Sequence, residues 1–250
     1  MKLRSAPPRA GRGPTIAIVD DAEALAAAGA RRIRRAAETA LAERGAFHLA
    51  LAGGSTPKGV YQRLAVEAPA LDWAQIQLYF SDERCVPPEH PGSNYRMAKL
   101  ALLDSAGVPA ANVHRMRGED APGEAAAAYE RELAAARPLD LVLLGLGADG
   151  HTASLFPGTS SLDEEERACV AVDVTELKAT RLTLTYPVLL EARAVLFLVA
   201  GVEKAHTLRE VVEGEMRPGT LPAQRIVRGG EAPVAILCDR AAASELPTSY

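Results

Sequence analysis

A 250-residue chain with a net charge of −4 at neutral pH lacks the basic face that general nucleic-acid binding requires, so no nucleic-acid partner is expected. A hydrophobic content of 48% and a mean hydropathy of −0.01 suit a soluble globular enzyme. No apolar run approaches the ~20 residues that span a bilayer, which excludes a membrane helix and leaves a small anion, held by local Arg and Lys, as the expected partner.

Residues 1–13 are basic and rich in Pro and Gly, without the apolar stretch of a secretory signal, and read as a disordered tail. Residues 14–250 read as one domain, since neither a linker nor a repeat divides them. Residues 15–19 form a short apolar strand, and Asp20 or Asp21 caps a helix whose stripe of Leu25, Ala28, Ile33, Ala37 and Leu41 ends at Gly45. A second strand over 47–52 runs into Gly53-Gly54-Ser55-Thr56-Pro57, where Pro57 suits the first turn of a new helix. A third strand over 76–80 closes in the charged segment 81–84. A helix over 94–103, a short strand near Val113 and an alanine-rich helix over 122–136 follow.

The apolar run 139–146 has the content of a strand buried on both faces. Beyond it, 168–174, 181–185, 194–200 and 234–238 read as strands, and 202–212 and 222–227 as helices. This alternation predicts an α/β fold: a doubly wound, mostly parallel, Rossmann-like sheet with helices on both faces and a small antiparallel addition late in the chain.

The buried run ends in Gly145 and Gly147, then delivers Asp149, Gly150, His151 and Thr152 at the carboxyl edge of the sheet, where open α/β sheets bind their ligands. A histidine there suits general acid–base work. Gly53 and Gly54 allow close approach of an anion to which Ser55, Thr56 and free helix N–H groups donate, although a tight capped turn accounts for the same residues. Arg84 can grip a phosphate or carboxylate in a forked pair of hydrogen bonds, with Asp82 or Glu83 orienting a neighbouring cation; a solvated charged loop is the alternative. Lys204 opens a helix directly after a strand, where its charge opposes the helix dipole and a bound anion resolves the conflict.

His48, His90, His114 and His206 lack supporting partners in sequence. Cys85 lacks a Cys/His signature, and Ser55 fails the nucleophile-elbow pattern because Pro57 takes the place of its second glycine. Cys85, Cys169 and Cys238 form no metal-like spacing and fit a reducing, cytoplasmic setting.

Three motifs, each at a predicted strand end, together resemble the 6-phosphogluconolactonases. They are Gly53-Gly54-Ser55-Thr56-Pro57; the run from Ser81 to Pro87 with Ser93-Asn94-Tyr95; and the run from Gly145 through Asp149-Gly150-His151 to Pro157. The runs beginning at Arg181, Gly201 and Pro222 fit as well, and the resemblance extends from about Thr15 to Asp239. It implies hydrolysis of the phosphosugar lactone 6-phospho-D-glucono-1,5-lactone, without cofactor or metal, by a cytoplasmic enzyme, and leans towards a monomer. It also implies a fold related to the glucosamine-6-phosphate deaminase and ribose-5-phosphate isomerase group.

Under that resemblance His151 is the general base and Asp149 orients it or a substrate hydroxyl. Ser55, Thr56, Arg84 and Lys204 anchor the phosphate, with Arg181 or Arg225 adding to the pocket, and a backbone N–H near residues 150–152 meets the oxyanion. The nearest rival is a glucosamine-6-phosphate deaminase or isomerase. That family carries Asp-Glu-Tyr where this chain has Asp82-Glu83-Arg84, and a glutamate in the segment where this chain has Ser154-Leu155-Phe156-Pro157. A non-catalytic sugar-phosphate-binding module would need no His151.

Overall fold

In the computed structural model, which describes residues 13–67 and 71–248, the chain folds around two sheets. Their strands are β1 (Thr15–Val19), β2 (Phe47–Leu51), β3 (Ile76–Phe80), β4 (Asp82–Arg84), β5 (Leu141–Leu144), β6 (Cys169–Val174), β7 (Ala179–Leu184), β8 (Val195–Val199) and β9 (Val234–Asp239). Six of these make a parallel sheet in the order β1-β9-β8-β5-β2-β3, and β4-β7-β6 make a small antiparallel one. Every residue of β5 and β8 is buried, and successive side chains point to opposite faces, so both faces of the main sheet are covered at its centre.

The helices are α1 (Ala22–Arg44), α2 (Ser55–Glu67), α3 (Asn94–Ala98), α4 (Asp104–Ala106), α5 (Pro122–Leu133), α6 (Tyr186–Glu191), α7 (Ala205–Val212) and α8 (Ala223–Gly229). Asp21 caps α1 by accepting from the Ala24 amide at 2.8 Å, and Gly45, at φ 74°, ends it by donating to the Leu41 carbonyl. Such an N-cap contributes ~1 kcal/mol. Leu25, Ile33 and Ala37 of α1 and Val60, Tyr61 and Leu64 of α2 enter one core cluster with the strands of the main sheet.

The doubly wound, mostly parallel sheet and its late antiparallel addition match the expectation; several boundaries do not. The segment 81–84 is not a loop, because Asp82–Arg84 pair with Leu182, Thr183 and Arg181 of β7, a partner about a hundred residues away. The helix expected over 94–103 passes through a π-helical turn (Lys99–Leu103) and continues into α4. The strand near Val113 is a single parallel bridge to Leu78. β5 is shorter than the apolar run 139–146, though Leu139 and Leu146 stay buried beyond its ends. α6 has no counterpart among the expected helices, and the one expected over 202–212 begins as a 3₁₀ turn (Val202–Lys204). Apart from Gly13, the disordered tail expected over 1–13 lies outside the described residues.

Candidate active site

The carboxyl ends of β2, β5 and β8, adjacent in the sheet, deliver the glycine loop, the histidine loop and Lys204 to one place, and β4 and β7 add Arg84 and Arg181. After β2 the chain is held tightly. The Tyr61 hydroxyl both donates to the Ala52 carbonyl and accepts from the Ala52 amide, each at 2.8 Å, tying the strand end to α2. A β-carbon at Gly53 would fall inside the Asn94 amide, so glycine here admits a neighbouring side chain as well as a ligand. Gly54 follows at φ 104°, a conformation that favours glycine.

The histidine loop folds around its own side chains. His151 Nδ1 lies 2.5 Å from Asp149 Oδ1, which also accepts from the His151 amide at 3.1 Å. A β-carbon at Gly147 would collide with both groups, which explains the glycine. Thr152 Oγ1 donates to the Gly145 carbonyl and the Gly147 amide to the His151 carbonyl, both at 2.8 Å, closing the loop. The imidazole stacks on Phe156 with centroids 4.1 Å apart.

An ionised carboxylate on Nδ1 accepts its proton and leaves Nε2 as the lone-pair nitrogen. Nε2 has no protein partner among the described residues. Partial burial pushes the Asp149 carboxyl up, but the hydrogen bond and charge of His151 outweigh it and hold Asp149 below its ordinary value, in the ionised form this arrangement needs.

A cluster of cations completes the wall. Arg84 and Arg181 are opposite one another in the β4–β7 ladder. One nitrogen of Arg84 donates to the Gly92 carbonyl and to Asn94 Oδ1, both at 2.7 Å. Arg181 lies 3.9 Å from Asp82 and over the Phe156 ring, its carbon 5.5 Å from the centroid. The Nε of each arginine is buried without a hydrogen-bond partner among the described residues. Burial, reinforced by the charge of Arg84 and opposed by Asp82 and Glu83, pulls the Arg181 pKa down from the usual arginine range. Lys204 is half-buried at the start of α7, and its ammonium makes no hydrogen bond or ion pair to the described residues.

These groups line a cavity of about 200 Å³ that also presents His151, Asn94, Gly53 and Gly54. A second cavity of about 160 Å³ adjoins it, sharing Gly53, Gly54, Gly145, Leu146 and Lys204 and adding Ser55 and Thr56. Three cations thus face one carboxylate, Asp82, in the larger cavity. That carboxylate is itself engaged, by Ser154 Oγ at 2.7 Å and Asn94 Nδ2 at 3.0 Å. A site so charged suits a dianion such as a phosphate monoester.

The sequence-predicted residues His151, Arg84, Arg181, Lys204, Gly53, Gly54, Ser55 and Thr56 therefore converge on two joined cavities, and Asp149 stands behind them on His151 Nδ1. Arg225 does not join them: its guanidinium covers the Tyr186 ring at 4.3 Å and donates to the Leu162 carbonyl. No role is expected from the sequence for Asn94, Ser154 and Phe156, although all three stand inside the three motifs. Glu83 does not reach the cavity. Its buried carboxylate accepts from the amides of Arg84, Asn94 and Tyr95 and from Ser93 Oγ, fixing the turn into α3 that presents Asn94. Among the described residues no group of three or more His, Cys, Asp or Glu side chains is placed to hold a metal ion.

Residues 20–235 match the family model described as glucosamine-6-phosphate isomerases/6-phosphogluconolactonase. The chain is 45% identical over 201 residues to a 6-phosphogluconolactonase of Synechocystis sp., covering 77% of this chain and 82% of that one. It is 38% identical over 241 residues to a 6-phosphogluconolactonase of Nostoc sp., covering 93% and 98%. The solved 6-phosphogluconolactonase of Trypanosoma brucei superposes with a TM-score of 0.85 at 31% identity, over 94% of this chain and 99% of that one. A monomeric glucosamine-6-phosphate deaminase at 22% identity, with a TM-score of 0.81, shares the fold.

Proposed function

The chain belongs to the glucosamine-6-phosphate isomerase/6-phosphogluconolactonase family, and from that premise we propose that it hydrolyses 6-phospho-D-glucono-1,5-lactone to 6-phospho-D-gluconate, the second step of the oxidative pentose phosphate pathway. The observation that carries this reading is the unpartnered Nε2 of His151, oriented by Asp149, in a cavity that holds three cations.

A δ-lactone is an activated ester, so one base and one positioned water suffice. His151 Nε2 takes a proton from water as its oxygen bonds to C1, and the C1 carbonyl becomes the oxyanion. Collapse of that intermediate breaks the bond from C1 to the ring oxygen, which receives the proton back from His151 and leaves as the C5 hydroxyl. Asp149 stays ionised and stabilises the imidazolium between the two transfers. Phosphate held by Arg84, Arg181 and Lys204, with Ser55 and Thr56 in the adjoining cavity, fixes the ring from its far end and converts remote binding energy into orientation of C1. Within 150–152, the Gly150 amide donates to the Gly147 carbonyl and that of His151 to Asp149, so neither is free for the oxyanion.

The deaminase alternative is disfavoured by Ser154, which stands in the segment where that chemistry wants a glutamate and gives its hydroxyl to Asp82. We read residues 14–250 as one domain, in keeping with a core cluster that runs from Leu25 to Ala242, and the enzyme as a cytoplasmic monomer with three free thiols. No helix among the described residues is long and apolar enough to cross a membrane.

The test supplies freshly prepared lactone and, separately, glucosamine 6-phosphate to the purified protein, with spontaneous lactone opening subtracted. Rapid formation of 6-phosphogluconate with no ammonia from the amino sugar is expected. Ammonia release without lactone turnover would reverse the assignment.

A further inference from the structure

At the opposite edge of the main sheet lies a cavity of about 690 Å³, larger than the catalytic one and within the size range of small-molecule sites. We propose that it is a second binding site, for a small organic anion with an apolar body. Its floor is the amino ends of the parallel strands, including Phe47, Leu141, Val195 and Val234, and α1 supplies one wall. Lining arginines number four, Arg32, Arg35, Arg44 and Arg193, against one carboxylate, Asp140, an excess of three positive charges (4 − 1) on a protein whose net charge is −4.

Asp140 cannot neutralise that excess. Its Oδ2 accepts from the His48 amide at 2.8 Å, and its Oδ1 lies 3.1 Å from Arg44 Nε and 3.3 Å from Arg193 Nε. Arg44 also pairs with Glu43. The guanidinium groups of Arg32 and Arg35 make no ion pair or hydrogen bond to the described residues, and their spacing puts them one turn apart on one face of α1. Two unpaired guanidinium groups at the rim of an apolar recess match a carboxylate, sulfonate or phosphate joined to an apolar body.

The chain's own residues 1–12 do not suit the site by charge. They precede Thr15, which lines the cavity, yet they carry Lys2, Arg4, Arg9 and Arg12 and no acid. No lining residue is shared with the catalytic cavities, so occupancy of the two places is separable by mutation.

The test is a fluorescence titration with 1-anilinonaphthalene-8-sulfonate, an aromatic body bearing one anion, and with its uncharged analogue N-phenyl-1-naphthylamine. Wild type should bind one equivalent of the sulfonate and bind the uncharged analogue at least about tenfold more weakly, the worth of a charge-assisted contact. Arg32→Gln/Arg35→Gln should weaken the sulfonate by a similar factor, and so should Arg35→Glu, an exposed single change available if the double variant folds poorly. Lactone turnover should be unaltered in both. Equal affinity for the two probes, or sulfonate binding untouched by these variants, overturns the proposal. Loss of binding in Arg84→Ala also overturns it, because the probe would then occupy the catalytic cavity.

Discussion

Arg84 and Arg181 are register partners in the antiparallel β4–β7 ladder, and both side chains line the cavity that holds His151. Like charges directly opposite one another destabilise a strand pair. Asp82, at 3.9 Å from Arg181, compensates only in part, and the Nε of each arginine has no partner among the described residues. The arrangement makes physical sense when a dianion sits between the two side chains and Lys204.

Removing one of these cations should therefore weaken substrate binding more than chemistry. Arg84→Ala and Lys204→Ala are each expected to raise KM by about tenfold or more, the worth of a charged hydrogen bond, with a smaller change in kcat. Steady-state kinetics on the lactone checks this. A fall in kcat at constant KM would move the residue from anchoring into the chemical step.

Gly53 and Asn94 should behave as one unit, because a β-carbon at position 53 overlaps the Asn94 amide that receives Arg84. Gly53→Ala is expected to destabilise the fold by about 1–3 kcal/mol, the range for overpacking, and to raise KM by displacing Arg84. Adding Asn94→Ala should restore part of the stability while KM stays high. Denaturant unfolding of the two variants decides the matter; an unperturbed Gly53→Ala would show that the overlap is relieved elsewhere.

Asp149→Asn keeps the shape of the loop but replaces the acceptor for His151 Nδ1. The wrong imidazole tautomer becomes available, and kcat should fall on the order of 10²–10⁴ with KM nearly constant. A variant that retained wild-type kcat would leave Asp149 with a structural role in the turn and none in orienting the base.

Glu83 makes a pH prediction. Burial raises its pKa above the ordinary 4.5, with hydrogen bonds from Tyr95, Asn94, Arg84 and Ser93 opposing the rise. The folded protein thus holds this proton more tightly than the unfolded chain, so the group's stabilising effect is full below its unfolded pKa and is lost as pH rises through the folded one. Between wild type and Glu83→Gln, the difference in unfolding free energy should change with that sign just above pH 4.5 and be flat at neutral pH. A difference that is constant across this window would place the carboxyl in an unperturbed environment.

Much of this architecture was legible because the signals are local. Buried strands such as residues 141–144 and 195–199 are continuous apolar runs, and Asp21 and Gly45 mark the ends of α1 within the sequence itself. The histidine loop was legible because its geometry depends on neighbours two to four residues apart, Asp149 with His151 and Gly147 with both. What escaped depends on distant partners. β4 is three polar and charged residues with no apolar alternation, and its strand character comes from β7. Asn94, Ser154 and Phe156 acquire their roles through Arg84, Asp82 and Arg181, which spacing along the chain does not join. Arg225 illustrates the converse: it follows a recognisable motif, yet the fold lays it on Tyr186.

The most direct measurement compares lactone hydrolysis by wild type and by His151→Ala, with the spontaneous rate subtracted and folding checked by thermal unfolding. A folded variant whose kcat falls by roughly 10²–10⁴, the usual worth of a general base, is the predicted result. A folded variant that turns over the lactone at the wild-type rate would remove His151 from the chemistry and contradict the mechanism at its centre.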